Sequence, residues 1–316
     1  MALLGIWFEG GLSLDLWAHS RGLVALTEGF LTPWHIAFYL GYLSTAGMLL
    51  RAILINRRTG ATWRAAIPAG YSYATAGALI FFVSGLADFI KHTLTGFNLA
   101  AEAPIDPSHL GITLGMGLIV GGPYFAAWLR RDQPASWAAR WPAVVSLAGL
   151  LTSATLAVQF SSPLAKVWAD PAVLALFHPD TIYAPSLAIS GMLIEAGLLV
   201  GFFLPAIRRG VLPTGAFGAV MLYNAGLMSV QYSQYRLIPA AALAGLAFDG
   251  LAGFVRRDDS TWTWQAAGAA IPLIFFALYF GSLALIGHMG WAIHQWTATL
   301  VITAAAGWGL SLIMKR

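Results

Sequence analysis

Nine stretches of this chain run long and apolar with almost no charge inside them. They fall at about 34–55, 67–90, 108–129, 141–160, 182–207, 213–234, 237–255, 265–287 and 291–314. A helix crosses a bilayer with roughly 20 apolar residues, so each run is long enough. The expected fold is all-α, a polytopic bundle of about nine transmembrane helices. Composition agrees: 9% of residues are charged, against about 25% in soluble domains. Glycine recurs inside the runs, which suits close packing of membrane helices.

Basic residues set the expected orientation. Arg57, Arg58, Arg64, Arg130, Arg131, Arg140, Arg208, Arg209, Arg256, Arg257, Lys315 and Arg316 fall in one set of loops, with Arg51 close by. The other set holds Arg21, Lys91, Lys166 and Arg236. The first set is therefore expected inside. The C-terminus is expected in the cytoplasm, and the N-terminal segment and N-terminus outside. A crossing by residues 2–18 would move the N-terminus inside and leave every later helix as it is. All seven histidines fall on the outer side of this map, which was drawn from Lys and Arg alone.

Four of those histidines belong to a repeat. Asp15-x3-His19 is followed by Pro33-Trp34-His35-Ile36-Ala37-Phe38-Tyr39-Leu40-Gly41, and Asp88-x3-His92 by Pro107-Ser108-His109-Leu110-Gly111-Ile112-Thr113-Leu114-Gly115. Asp and His four apart share a helix face, so each pair can bite one ion. The third ligand opens the next helix, where proline suits the first turn. Imidazole plus carboxylate suits copper, zinc or iron and not calcium or magnesium. Three protein ligands leave coordination positions open, as at a reactive centre. The chain has no cysteine, which excludes disulfides, thiolate ligands and thiol nucleophiles. His178, His288 and His294 stand outside the repeat and read as interfacial or hydrogen-bonded residues.

The run from Asp15 through Thr32-Pro33-Trp34-His35-Ile36-Ala37-Phe38-Tyr39 and Tyr42 resembles the C subunit of the copper membrane monooxygenases, the particulate methane and ammonia monooxygenases. That subunit has Asp-x3-His followed by Thr-Pro-x-His-Ile-x-x-Phe-Tyr, and Tyr71-Ser72 echoes it too. The resemblance covers about residues 15–120. It implies copper at Asp15, His19 and His35, and a second copper-linked set at Asp88, His92 and His109, where the family usually has Asn in place of Asp88. It further implies oxygen activation, oxidation of a small apolar or ammonia-like substrate, a quinol electron donor, and partner subunits or a homo-oligomer. Zinc and non-haem iron remain the alternative metals. The expected location is a bacterial inner membrane with the metal sites facing the periplasm.

Three parts are expected: an external segment 1–33 with the first ligand pair, a three-helix metal-binding part 34–130, and a six-helix part 131–316 without an assigned role. Within the latter, Glu195 falls midway in its run, Asp249 nearer an inner end, and Asn224 in the run between. Intramembrane carboxylates are functional candidates: a proton path, a quinone pocket or an ion site. Interhelical hydrogen bonding is the simpler reading. Gly121-Gly122-Pro123 reads as helix packing or a kink, since no Lys-Ser/Thr follows it as in a phosphate loop. Nothing suggests nucleic acid binding, and the lipid bilayer is the expected surrounding. Besides an oxidising enzyme, a metal-ion transporter or metal-handling protein would use the same external ligands.

Overall fold

The computed structural model describes residues 1–23, 31–95, 105–130, 136–176, 183–258 and 260–314. His178, Arg131, Lys315 and Arg316 lie outside them. All regular structure among the described residues is helical. Among the described residues six helices are long and apolar enough to cross a membrane, or seven if Pro107–Val120 and Gly122–Leu129 form one bent span, against the nine expected. The runs at 141–160 and 213–234 are helices, Trp137–Ala157 and Ala216–Tyr232, but neither is among the six, and the second has only 17 residues.

The chain divides into two compact units, Met1–Ala157 and Val158–Arg316. Trp137–Ala157 packs with helices of the first unit.

The first unit holds α1 (Ala2–Ser20), α2 (Pro33–Arg58), α3 (Trp63–Ala66), α4 (Ser72–Thr95), α5 (Pro107–Val120), α6 (Gly122–Leu129) and α7 (Trp137–Ala157). α1 with α2, and α4 with α5, form two helical hairpins. The duplicated sequence is therefore a duplicated hairpin, with Asp-x3-His closing its first helix and Pro-x-His opening its second. Gly41 and Gly115 end the two copies of the motif, and each lies where helix backbones meet. A Cβ on Gly41 would stand 2.7 Å from Phe8 Cα, and one on Gly115 2.7 Å from the Phe81 nitrogen. Phe8 and Phe81 are themselves equivalent positions of the repeat, and their rings meet edge to face at 5.1 Å. Phe38 and Tyr42 join them, the latter stacked on Phe81 at 4.3 Å.

α1 runs back along α2, and the Met1 amino group lies 3.4 Å from Met48 Sδ. Residues 2–20 are thus a helix packed along α2. Met1 lies at the opposite end of the hairpin from His19. α5 and α6 meet at a 42° bend at Gly121-Gly122-Pro123, where proline removes a backbone donor. Gly122 also lets the Tyr71 ring lie against the backbone, since a Cβ there would fall 2.6 Å from Tyr71 Cε1.

The second unit holds α8 (Pro171–Leu174), α9 (Tyr183–Arg209), α10 (Ala216–Tyr232), a 3-10 turn (Tyr235–Leu237), α11 (Ile238–Arg257), α12 (Thr261–Leu285) and α13 (Ile293–Ile313). α10 pairs with α11, α12 with α13, and α9 packs on α11, α12 and α13. Gly245 against Phe217, and Gly268 against Gly307, bring these backbones together.

Candidate metal centre

Each hairpin brings its own ligands together. Asp15, His19 and His35 offer ligand atoms that all lie within 4.8 Å of one another, and so do Asp88, His92 and His109. In the first group His19 Nε2 is 3.8 Å from Asp15 Oδ2, and His35 Nδ1 is 3.4 Å from Asp15 Oδ1. In the second, His92 Nδ1 is 3.4 Å from Asp88 Oδ2, and His109 Nε2 is 3.2 Å from Asp88 Oδ1. Asp15, His35 and Asp88 are buried, whereas His19 and His109 are part-exposed.

Local structure aims these groups. Thr32 caps α2: its hydroxyl accepts from the His35 amide at 3.1 Å and lies 2.9 Å from His35 Nδ1. Asp106 holds the equivalent capping position on α5 and accepts from the Ser108 amide at 3.0 Å. Pro33 and Pro107 then start the helices that carry His35 and His109. The Ser108 hydroxyl lies 2.9 Å from Asp88 Oδ1 and 2.6 Å from Asp106 Oδ1, so it links the cap to the ligand. Lys91 pairs with Asp106 in turn.

The two groups are carried by neighbouring hairpins of one unit. Tyr39 stands between the groups. Its ring stacks on His35 at 6.3 Å, and its hydroxyl would lie 3.7 Å from a Cβ on Gly85, three residues before Asp88.

The donor set fits a transition-metal ion. Asp15 Oδ1 is enclosed and makes no hydrogen bond. A buried carboxylate oxygen left without a donor, beside two imidazoles, suits a bound cation. Imidazole with carboxylate suits copper, zinc or iron. The six residues expected from the repeat are thus the six that the hairpins assemble. Thr32, Ser108, Asp106, Lys91 and Tyr39 were not assigned to the site from the sequence. Two signals pointed to some of them: a capping residue before each Pro-x-His, and the spacing of four from His35 to Tyr39.

The intramembrane residues have separate surroundings. Asp249 accepts from the amides of Phe217 at 3.4 Å and Gly218 at 3.0 Å, so it satisfies the first turn of α10. Glu195 accepts from Ser162 at 3.3 Å. Asn224 is buried on α10. His288 Nδ1 lies 2.9 Å from Asp170 Oδ2, which also pairs with Arg236 at 2.6 Å. His294 is exposed at the start of α13.

Comparison of the chain with protein-family models, curated proteins and solved structures finds no match. The chain is a membrane-helical protein whose two Asp/His/His groups can hold metal ions.

Proposed function

We propose that this protein is a copper-binding membrane oxidoreductase, or the metal-bearing subunit of one. In this reading it activates oxygen to oxidise a small apolar or ammonia-like substrate. The observation that carries it is the pair of Asp/His/His groups, each built on a buried carboxylate and each with all its ligand atoms within 4.8 Å. The likeness of residues 15–120 to the C subunit of copper membrane monooxygenases supports copper over zinc or iron. Asp15, His19 and His35 would hold one ion, and Asp88, His92 and His109 the other. Bound copper supplies one-electron redox chemistry and open positions for oxygen.

The chain's own residues supply the rest. Thr32 and Ser108 fix the His35 ring and the Asp88 carboxylate before any ion arrives, as outer-shell partners do at metal sites. Phe8, Phe38, Tyr42 and Phe81 form an apolar cluster beside the groups and keep water from them on that side. The distribution of Lys and Arg supports metal groups at the outer end, facing the periplasm of a bacterial inner membrane. A quinol in the bilayer would be the electron donor, and partner subunits or further copies of the chain would complete the enzyme.

Elemental analysis of the purified protein tests this reading. Copper is expected at two ions per chain, falling to one in His19→Ala and in His92→Ala. Full metal content in both variants would sink it. Quinol-dependent oxygen consumption by the copper-loaded protein separates an enzyme from a metal carrier, which would bind the ions without turnover.

A further inference from the structure

The second unit holds a buried carboxyl group that the metal groups do not use. Glu195 stands ten residues into the Pro185–Arg209 span. At about 1.5 Å per residue that is about 15 Å from its start, near the middle of a hydrocarbon layer about 30 Å thick. Its side chain has no exposed surface. Ser162 Oγ donates to Oε2 at 3.3 Å, and Oε1 has no hydrogen-bond partner. Among the described residues no Lys, Arg or His pairs with it.

The group that reaches Glu195 does not come from a helix. Residues 158–170 form a run of turns between α7 and α8, yet Ser161, Ser162 and Trp168 within it are buried. The Ser161 carbonyl presses on Gly191, one helical turn before Glu195, and a Cβ there would collide with it. Trp168 Nε1 donates to that carbonyl at 3.0 Å, and the Leu164 amide donates to the Ser162 hydroxyl at 3.3 Å. The Ser162 hydroxyl is thus held against Glu195 by its own loop. Irregular backbone at mid-bilayer depth is tolerated where it is buried in protein or lines a cavity. Broken segments of this kind hold sodium ions or protons in many transporters.

We propose that Glu195 and Ser162 form an exchangeable site for one monovalent cation, a proton or a sodium ion, inside the second unit. An ionised carboxylate enclosed with a single neutral hydroxyl is left uncompensated, so a bound positive charge completes it. Oε1 is the atom left to receive that charge. One carboxylate matches one positive charge. Asp249, the other acid in the spans of this unit, is engaged at the start of α10.

Infrared spectroscopy of the purified full-length protein tests the site, and its readout does not depend on metal in the first unit. In sodium-free buffer a protonated-carboxyl band is expected that shifts within minutes in D2O and is lost in Glu195→Gln. Loss of the band on sodium titration identifies sodium as the occupant, and its persistence identifies the proton. A band that neither exchanges in D2O nor responds to sodium overturns the proposal, because the acid is then sealed. An ionised Glu195 in sodium-free neutral buffer overturns it as well. If Glu195→Gln does not fold, Ser162→Ala keeps the carboxyl and should shift the band. An unshifted band there removes Ser162 from the site and overturns the proposal in this form.

Discussion

Ser108 shows how much of a site rests on residues that touch no ion. Its hydroxyl reaches both the ligand Asp88 and the helix cap Asp106, so the carboxylate is oriented by the turn that starts the next helix. Outer-shell partners are worth roughly 10–100-fold in metal affinity. Ser108→Ala is therefore expected to weaken the second group by about that factor and leave the first unchanged, as competition with a chelator would measure. Equal weakening of both groups would contradict this assignment. Thr32→Ala does the same to the first group, and losing the cap costs about 1 kcal/mol of stability besides.

Lys91 and Ser108 hold the Asp106 carboxyl well below its ordinary value of 3.8. A group lowered in the folded state adds stability above its unfolded value, and loses it as pH falls toward the folded one. Lys91→Ala is thus expected to lower the melting temperature at neutral pH, with the deficit shrinking below about pH 4. Both side chains are part-exposed, so the effect is at most about 1 kcal/mol. A deficit that stays constant into strong acid would rule out the ion pair as its cause.

At the scale of elements, the hairpin is the repeating unit, and its repeated glycine is what lets it close. Gly41 and Gly115 meet neighbouring backbone within 2.7 Å of where a Cβ would stand, whereas Gly47 on the same helix as Gly41 meets nothing within 4 Å. Gly41→Ala and Gly115→Ala are expected to destabilise by about 1–3 kcal/mol through overpacking. Gly47→Ala should be neutral or stabilising by up to about 1 kcal/mol, since alanine favours helix. Thermal unfolding of the three variants decides this. Equal stability would show that the glycines are not packing positions.

At the scale of the whole molecule, each unit has its own polar centre. All six metal-ligand candidates fall in Met1–Ala157, and Glu195 falls in Val158–Arg316. Because the chain has no cysteine, single cysteines report sidedness without background. Leu3→Cys and Arg58→Cys should react with an impermeant thiol reagent from one side of the membrane, and Gly22→Cys from the other. Labelling at positions 3 and 22 from the same side would contradict the antiparallel course of α1 along α2.

The apolar runs, the alternation of basic residues and the doubled Asp-x3-His with Pro-x-His are one-dimensional patterns. They determine a membrane-helical chain and select six ligand candidates, because spacing on a helix sets which side chains share a face. Spacing does not say which helices pack together. That Trp137–Ala157 joins the first unit, that Ser108 bridges a cap to a ligand, and that Tyr39 stands between the two groups depend on contacts between different helices or across a turn. The turns at 158–170 carry no periodic signal, so their burial beside Glu195 was decided by tertiary packing alone. Residues brought together by packing leave no period in the chain, whereas residues brought together by one helix do.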